Sequence, residues 1–360
     1  MKALLAFLVF AATAGAQVSP WLARVKAQNS DLFAFEGATG RVWSYRMTIV
    51  ETEHRLVTGA RYKVWAFGGT VPAPTLVVRE GDTMRIRVTN ETSAEHTIHS
   101  HGLFVPQRMD GVPHLHGARD SHAQHTRQTS MPKAIAPGES FTYEYIARPS
   151  GTHWYHCHVN TNEHLNRGMA GALIVLPREP DPAVDVEEVL LLQEWNSKYA
   201  QGGQPGHPRE THEADVFTIN GLSFPDTKRI AAEIGQTCRL RVVNAGMQFH
   251  SIHLHGHSFL VTHKDGAPLA EPPEMDTVAV GPGERVDLVL VANNPGEWPL
   301  HCHDSSHQTN GGLYPGGMMT HLLIGAEPSP QSDGPVAGPA LAEVRKRWRR
   351  SAQIRLSGSP

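Results

Sequence analysis

Short runs of alternating apolar and polar residues, separated by turns rich in Gly and Pro, extend along most of this chain. Residues 84–90, MRIRVTN, and residues 238–244, CRLRVVN, place apolar and basic side chains on opposite faces, as a half-solvated antiparallel strand requires. Residues 137–147 and 282–292 repeat the alternation after a Pro-Gly turn. With 33 Gly and 26 Pro among 360 residues, the pattern predicts an all-β protein built from sandwiches of about seven or eight strands.

The two halves of the chain repeat each other. Residues 78–102 align without gaps with residues 232–256, and residues 135–158 align with residues 280–303. A repeat of about 150 residues indicates a duplicated domain rather than a short solenoid unit. The Pro-rich, acidic segment near 177–188 predicts the boundary. We therefore expect one domain over 17–178 and a second over 186–325.

The two ends of the chain differ in composition from these domains. Lys2, the apolar run after it and the Ala-Gly-Ala at 14–16 predict a signal peptide over 1–16 and export to a periplasm or extracellular space; a buried N-terminal helix is the alternative. This apolar run is too short for a good membrane span. Residues 326–360 are rich in Pro, Ser and Gly, contain the basic run 345–350, and are predicted to be disordered. A net charge of −3 does not suggest a nucleic-acid partner.

Histidines are concentrated in two motifs, and each motif occurs once per repeat. One is His-x-x-His-x-His, at 96–101 and 250–255, and the other is His-Cys-His, at 156–158 and 301–303. Successive side chains of a strand point to opposite faces, so each motif places two histidines on one face and the remaining His or Cys on the other. Each repeat thus offers four imidazoles on one side and a thiol with an imidazole on the other.

This arrangement indicates metal binding. A thiolate with imidazoles suits a blue-copper site, and clustered neutral imidazoles suit copper or zinc. Two of the three cysteines, Cys157 and Cys302, lie between histidines, whereas exported proteins usually pair their cysteines. The third, Cys238, alternates with apolar positions and is predicted to be a buried core thiol.

These motifs, in this order, resemble the copper-binding motifs of multicopper oxidases, and the chain most resembles two-domain members with blue copper in the first unit. The resemblance implies two tandem cupredoxin-like Greek-key β-sandwich domains and about four coppers per subunit. For the type 1 copper it implies His96, Cys157, His164 and the weak ligand Met169. For the trinuclear cluster it implies His99 and His253 on type 2 copper, with His101, His156, His158, His255, His301 and His303 on the type 3 pair.

The second unit retains His250, Cys302 and His307, but its following loop departs from this pattern. Met169 comes five residues after His164, whereas the residue five after His307 is Gly312, and the candidates Met318 and Met319 lie further on. A second type 1 site at these residues therefore stays open, and a remnant buried thiol is the other interpretation.

Two further features carry hypotheses. Asp110, in Met-Asp-Gly-Val-Pro, matches an acid that assists proton delivery in the resembled family; an Asp-Gly turn residue is the alternative. The His- and Met-rich segment 109–131 suits either copper loading or a solvated loop.

The resemblance implies an oxidase that takes electrons from a small reductant, a phenol, aromatic amine or low-valent metal ion, and delivers them to dioxygen. It also implies a homotrimer in which domain 1 of one subunit meets domain 2 of the next and closes the cluster. A copper nitrite reductase and a non-catalytic copper carrier are the alternatives. Histidine on both sides of Cys157, and the occurrence of His-x-His in both repeats, favour the trinuclear site over the reductase.

Overall fold

The computed structural model describes residues 20–28, 33–36, 42–58, 60–113, 134–197, 213–325 and 339–357. The predicted signal peptide and most of the His-rich segment lie outside these ranges. Strands in four sheets make up most of the described chain, which confirms the all-β prediction. Within the described ranges, no helix combines the length and the apolar character that a membrane span requires.

The first domain pairs a five-stranded sheet with a four-stranded sheet. The five-stranded sheet runs β1-β2-β5-β7 with β3 beside β2, and the other runs β4-β9-β8-β6. Parallel pairing of β2 with β5 and of β4 with β9 shows that the strands do not follow a simple meander. Its strands are β1 (Phe33–Glu36), β2 (Val42–Val57), β3 (Ala60–Phe67), β4 (Ala73–Arg79), β5 (Thr83–Asn90), β6 (His99–His101), β7 (Ser140–Ile146), β8 (Gly151–His156) and β9 (Ala170–Leu176), with helices α1 (Pro20–Gln28) and α2 (Thr161–Asn166).

The second domain repeats this plan with additional short strands. One sheet runs β11-β10-β13-β19-β15-β16 with β17 beside β15, and the other runs β12-β21-β20-β14-β18. Its strands are β10 (Val186–Trp195), β11 (Val216–Ile219), β12 (Ile230–Ala232), β13 (Thr237–Asn244), β14 (His250–Leu254), β15 (Phe259–Lys264), β16 (Ala267–Pro268), β17 (Glu274–Met275), β18 (Thr277–Val280), β19 (Arg285–Val291), β20 (Gly296–Cys302) and β21 (Met319–Ile324). The last helix is α3 (Leu341–Ser357).

The prediction that both basic strands are half-solvated holds for β5 but is wrong for β13. Side chains of β5 alternate between buried and less buried positions, whereas every residue of β13 is buried. The two arginines of β13 are buried because carboxylates neutralise them: Arg239 and Arg241 both contact Asp287, and Arg241 also pairs with Glu187 at 2.6 Å. Arg241 in addition donates to Thr152 of β8, at 2.7 Å, so domain 1 covers this face.

The prediction of a disordered tail is wrong for residues 341–357, which form α3. Val344, Trp348 and Ala352 are buried at its inner face, four residues apart from one to the next, as successive turns of one helix side require. The basic residues of the tail bind carboxylates of the protein, as in the pair between Arg355 and Asp181 at 3.0 Å. Apolar residues at every fourth position, with basic residues between them, thus form an amphipathic helix that docks on domain 2.

Candidate metal centres

The first centre joins the end of β8 to the short helix α2. Cys157 directly follows β8, and His164 lies in α2. The Cys157 Sγ lies 2.9 Å from His164 Nδ1 and 3.8 Å from His96 Nδ1, and the two Nδ1 atoms are 3.3 Å apart. All three side chains are buried. One metal ion can therefore be reached by two imidazole nitrogens and one sulfur, as copper of the blue type requires.

Met169 follows α2 and contacts both His164 and Cys157 through its backbone. Its backbone N–H donates to the His164 carbonyl at 3.1 Å, and its carbonyl accepts from Cys157 N at 3.3 Å. The side chain is fully buried. Trp65 packs edge-on against both imidazoles, with ring centroids 5.1 Å from His96 and 4.7 Å from His164.

The other face of the same strands carries four imidazoles. The His99 ring lies 5.2 Å from His156 and 5.3 Å from His158, and His101 lies 6.0 Å from His156. The Nδ1 atoms of His99 and His156 are held by backbone carbonyls, those of Asp110 at 2.8 Å and Cys157 at 2.9 Å. Their Nε2 atoms are therefore the ones left to bind metal. In the structure the sulfur thus lies on one side of these strands and the imidazoles lie on the other, as strand parity predicts.

Asp110 lies beside this face. Its Oδ1 is 3.2 Å from His99 Nδ1, and the carboxylate is partly exposed. Gly111 follows with a positive φ of 71°, and a Cβ there would meet the Ile98 carbonyl oxygen at 1.9 Å. The Asp-Gly turn is thus required for close approach, and it also places the carboxylate at the His99 ring. This geometry fits both the turn interpretation and the relay interpretation of Asp110.

The second domain has the same four-histidine face. The His253 ring lies 5.7 Å from His301 and 5.5 Å from His303, and His255 Nε2 lies 3.0 Å from His301 Nε2. Here the carbonyl of Asp276 holds His253 Nδ1 at 2.9 Å, as Asp110 holds His99. Sequence reasoning missed Asp276, although it follows a methionine in Met-Asp, as Asp110 does.

The second thiol also gathers two imidazoles. The Cys302 Sγ lies 3.3 Å from His307 Nδ1 and 3.7 Å from His250 Nδ1, and the two Nδ1 atoms are 3.2 Å apart. Met318 takes the position that Met169 has in domain 1, because its N–H donates to the His307 carbonyl at 2.7 Å and its carbonyl accepts from Cys302 N at 3.0 Å. Although the loop between His307 and Met318 is longer, Met318 therefore makes the same two backbone contacts in domain 2 that Met169 makes in domain 1.

In one subunit the two faces remain separate. Among the described residues, the imidazole ring contacts and the groups able to hold a metal each join histidines of a single domain.

Comparison with known proteins places these motifs in a family. Multicopper oxidase family models match residues 48–180 and 198–316. The blue copper oxidase of Nitrosomonas europaea is 42% identical in sequence, and the match covers 78% of this chain and 85% of that one with a TM-score of 0.70. The chain belongs to the multicopper oxidases. As a two-domain multicopper oxidase of cupredoxin fold, it is expected to bind copper, and its Cys, His and Met donors fit that metal.

Two other relatives define the limits of the comparison. Laccase-6 of Oryza sativa subsp. japonica is 32% identical over 276 residues, which are 71% of this chain and 44% of that protein. The chain thus spans less than half the length of this curated relative. A copper nitrite reductase of Nitrosomonas europaea has a TM-score of 0.65 but only 23% identity, covering 83% of this multicopper oxidase and 98% of the reductase, so it shares the fold alone.

The pKa values of the two thiols of this multicopper oxidase are shifted in opposite directions. Burial raises the pKa of Cys157 to about 11, and burial also lowers the pKa of His96 to about 4. Burial would also raise the pKa of Cys302, but hydrogen bonds from His250 and His307 outweigh it and lower that pKa to about 6. For His250, burial is outweighed by hydrogen bonds to Cys302 and Glu194, which raise its pKa to about 9. These contacts favour a neutral thiol in the first centre and a thiolate beside a protonated imidazole in the second.

Proposed function

We propose that this chain is an exported oxidase that takes single electrons from a small reductant and delivers them to dioxygen, forming water. The observation that carries the proposal is the position of Cys157. Its sulfur meets His96 and His164 on one side, while the adjacent His156 and His158 belong to the four-imidazole face on the other. A thiolate site and an oxygen site are thereby separated by only a few covalent bonds.

Bound copper would supply the one-electron redox chemistry and the reduction of oxygen. His96, Cys157 and His164 would hold the type 1 ion, with the buried Met169 as the weak fourth ligand. Trp65 and the Arg167 guanidinium, which lies 4.6 Å above the Trp65 ring, keep water from the two imidazoles. His164 is itself buried, so the reductant is expected to approach across this aromatic cover.

The oxygen site would combine both four-imidazole faces, with His99 and His253 on the type 2 ion. The remaining members, His101, His156, His158, His255, His301 and His303, would hold the type 3 pair. Because the two faces stay apart in one subunit, the proposal includes a homotrimer in which neighbouring subunits supply one face each. Large exposed aromatic residues support such contacts: Phe104 follows the first face closely in sequence and is 70% exposed, and Phe249 precedes the second and is 72% exposed.

Asp110 is proposed to relay protons to the oxygen site. Its carboxylate lies 3.2 Å from the His99 ring and is partly exposed, so it can exchange protons with water while remaining beside the face.

We also propose that His250, Cys302 and His307 hold a second thiolate-bound copper. These three donors converge as closely as those of domain 1, and Met318 occupies the position of Met169. The altered loop length, which argued against the site in the sequence, does not displace the methionine backbone.

A nitrite reductase is the less favoured function. That class holds one type 2 copper on three histidines with a single His beside its Cys, whereas Cys157 and Cys302 here each lie between two histidines. Copper content and turnover decide the matter. We expect about four to five coppers per chain, a blue thiolate band, and oxygen uptake with a phenol, an aromatic amine or Cu(I). One or two coppers per chain together with nitrite reduction would refute the oxidase.

A further inference from the structure

A buried carboxylate distinguishes the domain-2 thiolate set from its domain-1 counterpart. Glu194, at the end of β10, is 7% exposed, and its Oε1 lies 2.9 Å from His250 Nε2. In domain 1 the corresponding nitrogen, His96 Nε2, lies 2.7 Å from the Thr92 hydroxyl. One thiolate centre is thus backed by a carboxylate and the other by a neutral hydroxyl.

A single small residue makes this difference possible. Thr92 and Gly246 are equivalent, since each is two residues after an Asn whose Oδ1 accepts its backbone N–H, at 3.0 Å from Asn90 and 2.9 Å from Asn244. A Cβ at Gly246 would lie 1.8 Å from Glu194 Oε2. The glycine therefore leaves the space that the carboxylate fills, whereas Thr92 fills the same space in domain 1 with its own hydroxyl.

Domain 1 has a carboxylate at the equivalent position, Glu51, but this carboxylate binds a different partner, Ser93. Ile49 pairs with Asn90 and Leu192 pairs with Asn244, so Glu51 and Glu194 occupy the same position two residues further along. Glu51 is exposed, and its Oε1 accepts from both the N–H and the hydroxyl of Ser93, at 3.1 and 2.6 Å. The chain therefore contains its own matched control for the carboxylate of domain 2.

The contact between Glu194 and His250 acts on the side of the ring remote from the sulfur. His250 Nδ1 faces Cys302 Sγ at 3.7 Å, so with metal on Nδ1 the proton lies on Nε2 and is donated to Glu194. The backbone N–H groups of Met247 and Gln248 hold the carboxylate in place, at 2.9 and 2.8 Å. A carboxylate partner makes an imidazole ligand more basic, and a fixed negative charge in a buried site favours the more positive oxidation state of the metal.

We propose that Glu194 is a positioning residue that lowers the reduction potential of the domain-2 copper below that of the domain-1 copper, so that the two thiolate centres are not equivalent. The inference rests on the proposed function, in which His250, Cys302 and His307 bind copper. The copper of domain 1, where His96 contacts the Thr92 hydroxyl, would then be the stronger oxidant of the two. A copper in the domain-2 centre would be the harder of the two to reduce.

The test isolates the domain-2 centre in the full-length, copper-loaded protein by Cys157→Ser. Redox titration of the remaining blue band, with copper counted in the same samples, compares this background with Glu194→Gln and with the matched control Glu51→Gln added to it. Glu194→Gln keeps the size and a hydrogen-bond acceptor but removes the charge. We expect the band and copper content to be retained, the midpoint potential to rise with Glu194→Gln, and no shift with Glu51→Gln.

The outcomes are distinguishable. A retained band with an unchanged midpoint in Glu194→Gln overturns the role of Glu194 while leaving the second copper in place. A Cys157→Ser protein without any blue band overturns the second copper and the inference with it, whereas an unmutated protein that binds no copper overturns the proposed function itself. If Glu194→Gln does not fold, Glu194→Asp replaces it. Glu194→Asp withdraws the charge by one methylene and should raise the midpoint potential by less than Glu194→Gln does. An unchanged midpoint potential in Glu194→Asp would equally count against the role of Glu194.

Discussion

Replacing Asp287 by Asn tests how the two domains are held together at the metal-bearing strands. Asp287 is completely buried on β19, and its Oδ1 accepts from the Thr152 hydroxyl of β8 at 2.6 Å. Its Oδ2 accepts from Arg239 Nε and from Arg241 Nη1, each at 3.2 Å. Thr152 lies on the strand that ends at His156, so this cluster links domain 2 to the strand that leads into the first centre.

The expected loss of stability follows from these contacts. Asn retains one acceptor oxygen, so the charge-assisted interactions of Oδ2 with two arginines are lost, at about 1.5–3 kcal/mol for each arginine. This range agrees with the cost of removing one partner from a buried ion pair, about 3–5 kcal/mol. For domains of this size it corresponds to a fall in melting temperature of about 6–20 °C. Thermal unfolding of the copper-loaded protein, followed by circular dichroism, measures it.

The matched control is Asp265→Asn, because Asp265 also pairs with an arginine, Arg285 at 3.2 Å, but its side chain is 47% exposed. Exposed pairs contribute about 0–1 kcal/mol, so this variant should melt almost like the unmodified protein. Equal losses in the two variants, or a loss below about 1 kcal/mol for Asp287→Asn, would refute the reasoning.

The effect of Asp287→Asn should also depend on pH. Burial alone would raise the pKa of Asp287, but Arg239 and Arg241 hold it well below its ordinary value. A carboxyl with a depressed folded-state pKa stabilises the protein fully above its unfolded pKa of about 3.9, and this stabilisation is lost as the pH falls towards the folded value. The stability difference between the two proteins should therefore be constant from pH 7 to about 5 and should shrink below about pH 4.

Three further predictions concern the centres. Asp110→Asn should lower the rate of oxygen reduction and change its pH profile, measured by oxygen uptake; unchanged turnover across pH would exclude the relay. Dilution should remove activity while the blue absorption persists, because a separated subunit has only separate faces; constant specific activity at the lowest concentrations would contradict the trimer. Gly317→Ala should abolish the domain-2 blue centre, since a Cβ there would meet the His307 carbonyl oxygen at 2.0 Å. Gly312→Ala, with a similarly positive φ but open space around it, should cost only about 1 kcal/mol of strain and keep the copper.

Much of each centre follows from local sequence because strand geometry is local. The alternation that predicts a strand up to residues 156–158 points the sulfur away from the two neighbouring imidazoles, and a duplicated motif must repeat that geometry. The all-β fold, the two-domain plan and the multicopper oxidase family follow from the same alternation and the same motifs. Asp110 was identified by its match to an acid of the resembled family rather than by strand geometry.

Contacts between distant segments could not be read in this way. The burial of Arg239 and Arg241 depends on Asp287 and on domain 1, which lie far away in the chain. The tail was predicted to be disordered from its composition, yet docking against domain 2 stabilises α3 there.

The sequence by itself determined which atoms could bind metal and on which face of each strand they lie, since side-chain parity depends on nothing beyond neighbouring residues. Only the tertiary structure decided that the Met318 backbone takes the position that Met169 has in domain 1 despite its longer loop, and that Glu194 rather than a hydroxyl supports His250. Both depend on how separate strands and loops pack. In that packing, the missing Cβ of Gly246 leaves room for the carboxylate of Glu194.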